Sequence, residues 1–282
     1  MSMITSQDFY NEAENHESRS RNVFSLLYKT RNTETRGRNL SGRSIIPKTI
    51  LQFWHDRKGI PEDVKVCLES WNVLEASGFQ VLLFDRYEAN TFIQKYFPSE
   101  YVTAFENCDH PAMECDFFRL CYLYQKGGFY VDADEEYTGE DCSDLFEDNK
   151  IKLQPLCYDL RKESMVSPSS FLNLTQYESG MIFYVNNNPI VSPRGHPLLL
   201  MAIKRAVGLL CNSQENKDLG IQEIAGPGNL SASLVRHSLS LSSNGKASDF
   251  SFIRNWDKYS SCNWFLSYRN DSRNWRLYKR GQ

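Results

Sequence analysis

Four charged residues carry the chemistry this sequence offers: Asp132 and Asp134, separated by one small residue, and Asp116 and Arg119, three apart. Two carboxylates as close as those of Asp132-Ala133-Asp134 repel each other unless a cation lies between them. Asp116 and Arg119 fall on one face of a segment that otherwise reads Phe117, Phe118, Leu120, Cys121 and Leu123, and a charge in that company must be paired or bound to something. Taken singly, the first pair is a solvated acidic turn and the second a helix salt bridge. Taken together, they describe a polar site set into an apolar scaffold.

The elements that must hold these residues follow from the local pattern. Pro111, behind a cap at Asp109, opens a largely apolar helix from Ala112 to Gln125, which Gly127 and Gly128 stop. Phe129, Tyr130 and Val131 read as a short buried strand. Asp132 and Asp134 then sit beyond the carboxyl end of a strand, where open α/β sheets place their ligands. Upstream, Ile45 to His55 is a dense apolar strand, Pro61 to Glu75 a helix with the stripe Val64, Cys67, Leu68 and Trp71, Phe79 to Phe84 a second strand, and Tyr87–Tyr96 a helix capped by Asp85. Ser99 to Asn107 is another short helix. Downstream come a strand over Met181 to Val185 leading into Asn186-Asn187-Asn188, a helix from Pro197 to Leu210 behind Gly195-His196, and a tight Ala225-Gly226-Pro227-Gly228 loop opening a helix that ends near His237. Alternating strands and helices of this kind predict an α/β fold with helices on both faces of a sheet. Residues 1–44 are polar, with an amphipathic helix over Ser6 to Lys29 and a linker after it that carries Arg36, Arg38 and Arg43. They read as an N-terminal extension to a main domain spanning 45–282.

Composition narrows the function classes. A hydrophobic content of 41% and a net charge of -3 are those of an ordinary globular protein and offer no general attraction to nucleic acid. No stretch approaches a transmembrane segment and no signal peptide is apparent, so the expected location is cytoplasmic, or that of an effector secreted without a cleavable signal; peripheral membrane contact through the N-terminal helix stays open. The eight cysteines lack C-x-x-C spacing and read as reduced thiols. No G-x-G-x-x-G follows the first strand, which disfavours a dinucleotide domain.

The pattern P-A-x-x-x-D-x-x-R-x-x-x-L-x-x-x-G-G-x-Y-x-D-x-D, filled here by Pro111, Ala112, Asp116, Arg119, Leu123, Gly127, Gly128, Tyr130, Asp132 and Asp134, resembles the D-x-D region of glycosyltransferases of the sugar-binding-region type. That group includes the yeast initiating mannosyltransferase, capsule and lipooligosaccharide enzymes and, more distantly, the clostridial glucosylating toxins. The strand Ile46-Pro47-Lys48 to Trp54 is similar to the family's opening strand I-P-K-x-I-x-Q-x-W, and Ser261-x-x-Trp264 resembles the tail of the toxin branch. The resemblance implies a GT-A-like three-layer fold and a metal-dependent, retaining transfer of a hexose or N-acetylhexosamine from a nucleotide-diphosphate sugar, a UDP-sugar by preference, to a glycan or protein acceptor. It implies Mn²⁺ or Mg²⁺ at Asp132 and Asp134 with help from Ser261, and donor binding by Gln52, Trp54, Asp116, Arg119, Tyr130, Asp132 and Trp264. Tyr259 stands where the toxin branch has an acidic metal ligand. Three other readings are weaker. A D-x-D phosphatase needs Thr or Val where Glu136 stands, a calcium loop needs Gly at Tyr137 and Glu at Ser143, and a non-catalytic sugar-nucleotide-binding protein on the same fold would bind donor without turning it over.

Overall fold

The computed structural model describes residues 6–31, 46–212, 216 and 218–278. The linker arginines Arg36, Arg38 and Arg43 lie outside the described residues. The N-terminal segment forms two helices rather than one, α1 (Ser6–Glu14) and α2 (His16–Thr30). The break is local chemistry: the Asn15 side chain accepts the Ser18 N–H at 2.9 Å and starts a second helix there. Then follow β1 (Thr49–Phe53), α3 (Glu62–Ser70), β2 (Gln80–Phe84), α4 (Arg86–Tyr96), α5 (Ser99–Glu106), α6 (Pro111–Lys126) and β3 (Gly128–Tyr130). The rest of the chain is β4 (Glu135–Tyr137), β5 (Ile151–Asp159), β6 (Ser164–Met165), α7 (Pro168–Phe171), β7 (Met181–Ser192), α8 (Pro197–Cys211), α9 (Ile221–Ile224), α10 (Pro227–Ser243), β8 (Phe250–Phe252) and β9 (Ser260–Cys262).

The main sheet runs β2-β1-β3-β7-β5-β6, with β8 added beside β5. Its β2-β1-β3 half is parallel, and β7 enters antiparallel to both β3 and β5. Alternation within the short strands divides the core. Leu51, Phe53 and Tyr130 face the layer built from α4, α5, α6, α8 and α10, whereas Ile50, Phe129 and Val131 face Trp71, Phe146 and Trp256 on the other side. Trp54 joins a third cluster with Val64, Cys67, Leu68, Ala133 and Leu266. The α/β arrangement with apolar layers on both faces is the one the sequence predicts.

Capping follows the sequence at α4, where Asp85 and Glu88 form a reciprocal capping box. It departs at α6, where the His110 ring, not Asp109, accepts the Ala112 N–H at 3.0 Å. At the C-terminus of α6, Gly127 has φ of 72°, and a Cβ there would meet the Arg194 backbone nitrogen at 2.8 Å, so only glycine lets the chain turn directly into β3. β7 continues well past Val185 and carries Asn186, Asn187 and Asn188 inside the strand, and α10 runs six residues beyond His237 to Ser243. The pairing Leu51↔Tyr130 and Tyr130↔Ile190 sets the carboxyl end of β3 between the middle of β1 and the last residues of β7, just past Asn187 and Asn188.

Phe118 of α6 is fully buried, with ring centroids of Phe53, Phe84 and Phe92 at 5.9, 5.1 and 5.8 Å. Phe118→Ala is expected to cost about 3–5 kcal/mol, read from urea unfolding. A cost under about 1 kcal/mol would show that this cluster does not hold α6 to the sheet.

Candidate active site

Arg119 is at the centre of the site. Its guanidinium is buried and reaches three ways: Nη2 lies 2.8 Å from Asp116 Oδ1 and 2.9 Å from Asp132 Oδ1, Nη1 donates to the Asn187 carbonyl at 2.7 Å, and the plane stacks 4.0 Å from the centroid of the Tyr130 ring. The sequence places Arg119 one helical turn from Asp116, but only the sheet brings Asp132 and Asn187 to it. Asp116 also accepts the Asn187 amide at 2.7 Å. Burial pushes its carboxyl up to about 6 despite the guanidinium beside it. Tyr130 donates to Asp132 Oδ1 at 2.6 Å, and its hydroxyl lies 3.0 Å from Cys115 Sγ.

The backbone around the two aspartates is anchored from three sides. The Asn188 side chain accepts the Asp132 N–H at 2.9 Å and donates to Glu135 at 3.0 Å. Ser260 donates to the other Glu135 oxygen, and Trp71 Nε1 donates to the Glu135 carbonyl at 2.9 Å. Burial raises the Glu135 carboxyl to about 7, with Asp134 and Asp132 adding to the rise. Asp134 is itself raised, first by burial and then by the charge of Asp132. It is held by the Tyr268 hydroxyl at 2.8 Å and by Arg269.

The segment after β9 lies over this cluster. Tyr268 meets Trp54 edge to face at 5.4 Å, Arg273 reaches over Trp54 at 5.9 Å, and Arg269 stacks on Trp264 at 4.7 Å. Three buried N–H donors here have no hydrogen-bond partner among the described residues: Gln52 Nε2, Trp54 Nε1 and Arg269 Nε. The structure thus brings Asp116, Arg119, Tyr130 and Asp132 into one connected network, with Asp134 beside it on Tyr268 and Arg269, Trp54 and Trp264 reaching it through the C-terminal segment, and Gln52 two residues before Trp54. Ser261 is placed differently. It pairs in register with Glu136 and is exposed, while its neighbours turn inward, Ser260 to Glu135 and Cys262 to Arg269; the pleat of β9 separates it from both. Tyr259 is buried and donates to Asp144.

Asn187, Asn188, Glu135 and Tyr268 were not singled out from sequence. The Asn186-Asn187-Asn188 run and the position of Glu135 directly after the D-x-D were visible, but their partners lie on other strands. A separate group with metal-like spacing, His196, His237 and Asp249, lies beyond the Ser192 end of β7, at the opposite end of β3 from Asp132. His196 Nδ1 accepts the Leu198 N–H at 3.3 Å and Nε2 lies 3.2 Å from the Asp249 carbonyl, while His237 is 2.7 Å from the Asp249 carboxylate. With Nδ1 accepting, His196 Nε2 carries the proton, so the group is a self-satisfied clasp between α8, α10 and the approach to β8.

Residues 61–147 match the family model of the glycosyltransferase sugar-binding region containing the DXD motif. This span holds α6, β3 and both aspartates. The chain carries a DXD sugar-binding region and is a glycosyltransferase. The match ends short of Gln52 and Trp54 on one side and of the C-terminal segment on the other. No curated protein matches the chain. Among solved structures it is similar to one described as PaToxG Glycosyltransferase, at 16% identity and a TM-score of 0.46, over 79% of this chain and 81% of that one. No helix of the described residues is long and apolar enough to cross a membrane.

Glu135 supplies a pH test. A carboxyl whose folded pKa lies above its unfolded value binds more protons folded than unfolded, so its contribution to stability is present below the unfolded pKa and is lost as pH rises through the folded one. Glu135→Gln, which mimics the protonated group, should therefore gain about 2 kcal/mol relative to the unsubstituted protein between pH 5 and pH 8, measured by urea unfolding in EDTA. A difference that stays constant with pH would mean Glu135 is not held protonated by its surroundings.

Proposed function

We propose that the chain transfers a hexose or N-acetylhexosamine from a nucleotide-diphosphate sugar, a UDP-sugar by preference, to a glycan or protein acceptor, with retention of configuration and with Mn²⁺ or Mg²⁺ bound at Asp132 and Asp134. The observation that carries this reading is the juxtaposition of two mutually repelling carboxylates with buried N–H donors that have no partner. Arg119 and Arg269 offset only part of the negative charge gathered at Asp116, Asp132 and Asp134, and the donors have no acceptor among the described residues. A metal-bound nucleotide diphosphate supplies positive charge and acceptors at once, with its phosphate and carbonyl oxygens toward Gln52, Trp54 and Arg269.

The residues fit a hard cation. Asp132 keeps one carboxylate oxygen outside the Arg119 and Tyr130 contacts, and the rise in Asp134 beside Asp132 is relieved by positive charge between them. A divalent cation bound there supplies Lewis-acid stabilisation of the diphosphate leaving group. Ser261, exposed and turned from the network, would have to rotate β9 to take part. Asp116 and Arg119 are placed to hold the hydroxyls of the donor sugar, with Arg119 fixing the Asp116 carboxylate through Nη2. Tyr130 lines the floor beneath Arg119 and orients Asp132, and Trp264 closes from the C-terminal segment with Arg269 against its face.

Retention is supported by how the carboxylates are engaged. Glu135 is held at both oxygens by Asn188 and Ser260, and Asp116 is held at Oδ1 by Arg119 and Asn187 with its Oδ2 set against the Gly226 backbone. Front-side attack relies on positioning and electrostatic stabilisation, which a network of locked side chains provides.

The test is nucleotide release from a panel of UDP- and GDP-sugars with Mn²⁺, Mg²⁺ or EDTA. One donor should turn over in a metal-dependent way, and Asp134→Asn should lower the rate by about a hundredfold or more with folding intact. NMR of the first-formed product should show the anomeric configuration of the donor. Full activity in Asp134→Asn, or in EDTA, would overturn the metal-dependent reading, and an inverted product would overturn retention.

A further inference from the structure

The two N-terminal helices hold both backbone segments that flank Asp116. The first is the loop around Gly226. A Cβ on Gly226 would lie 3.0 Å from Asp116 Oδ2, so this backbone packs directly against the oxygen of Asp116 that Arg119 and Asn187 leave alone. The loop is set by α9, whose Glu223 is gripped from α2: Arg19 Nη2 and Nη1 donate to its two oxygens at 2.6 and 3.1 Å. Arg19 is only 6% exposed, and a two-point guanidinium–carboxylate pair fixes direction as well as distance. Glu223 also fills the space beside Gly228, where a Cβ would come within 2.4 Å of Oε1. A second grip comes through Arg205 of α8, which donates to the Glu223 carbonyl at 2.5 Å while Nε and Nη2 hold Glu14 of α1 at 2.8 and 2.7 Å.

The other segment is β7. Ser20 Oγ of α2 accepts the Phe183 N–H at 2.9 Å and donates to the Met181 carbonyl at 3.2 Å. It closes the beginning of the strand edge that leads to Asn187, the residue that touches both Asp116 and Arg119. Val23 and Leu27 of α2 are buried in the main core, and Phe24 packs 5.0 Å from Phe183. Polar clamps at each end of an apolar contact hold the helix in one register.

We infer that α1 and α2 are a built-in part of the donor-sugar pocket, with Arg19 and Glu223 as positioning residues that set the Gly226 loop against Asp116. This rests on the reading of Asp116 as the residue that holds the donor's sugar. It separates the sugar half of the donor from the nucleotide half, because the partners of Asp132 and Asp134 among the described residues are Arg119, Tyr130, Asn188, Tyr268 and Arg269, none of them on α1 or α2.

The experiment uses the full chain and four variants, Arg19→Met, Arg19→Lys, Glu223→Gln and the charge exchange Arg19→Glu/Glu223→Arg, each checked by circular dichroism and thermal melting. Hydrogen exchange of residues 221–230 is measured without ligand. Calorimetry then compares UDP-glucose, or whichever donor of the panel the protein hydrolyses, with the nucleotide diphosphate alone. In Arg19→Met and Glu223→Gln the 221–230 amides should exchange about tenfold faster, and the nucleotide sugar should bind about tenfold more weakly while the nucleotide diphosphate binds within about twofold of the unsubstituted protein. The charge exchange should restore part of both losses; Arg19→Lys, which keeps the charge without the fork, should fall between, and serves where the exchange does not fold. Unchanged exchange at 221–230, or equal weakening of nucleotide and nucleotide sugar, would overturn the inference. A protein that binds no nucleotide sugar at all would sink the donor reading instead, and the exchange arm would then decide the mechanical part by itself.

Discussion

A guanidinium buried between two carboxylates is the constraint on which the rest of this structure turns. Arg119 cannot be dehydrated without counter-charges and acceptors, and it finds them on three elements: Asp116 on its own helix, Asp132 just past β3 and the Asn187 carbonyl on β7. α6 must therefore lie across the sheet with this face turned toward the carboxyl end of β3. The glycine pair after α6 makes that geometry available, since a tighter or longer connection would put β3 out of reach of the helix it follows. The aromatic layer of Phe53, Phe84, Phe92 and Phe118 then holds α6 in place without contributing any chemistry.

From that centre, polar satisfaction spreads outward in steps. Asn188 links the Asp132 backbone to Glu135, Ser260 links Glu135 to β9, and the segment beyond β9 returns Tyr268 and Arg269 to Asp134. Each link pairs a buried group that would otherwise be costly. Beside Asp132 and Asp134, among the described residues, the unpaired buried atoms of Gln52, Trp54 and Arg269 are donors, and the groups crowded next to them are carboxylates.

The N-terminal helices extend the same logic to the back of the site. A helix attached only by apolar contact could shift by a turn at small cost. One that is pinned by Arg19, Ser20 and, through Arg205, Glu14 cannot shift without breaking several buried polar contacts together. The segment that looks most like an appendage in sequence is thereby tied to the residues around Asp116.

The sequence by itself determined the centre of the protein: the helix of Asp116 and Arg119, its stop at Gly127, the short strand after it, the two aspartates beyond, and the α/β class. All of these depend on spacings within about twenty residues, where helix and strand periods and the glycine turn act directly. It also marked Asp85 as a cap, because a capping box is closed within four residues. Tertiary structure decided what depends on contact between distant segments. Asn187, Asn188 and Glu135 became partners of the site only when β7 was laid antiparallel beside β3. Ser261, chosen on resemblance, faces away because the register of β9 against β4 sends Ser260 and Cys262 inward instead. The single helix expected over residues 6–29 became two, since an Asn cap and burial on α10 and β7 outweighed a continuous but weakly amphipathic pattern. Strand pairing and side-chain direction are set by which faces are buried, and that is a property of the assembled layers rather than of any local stretch.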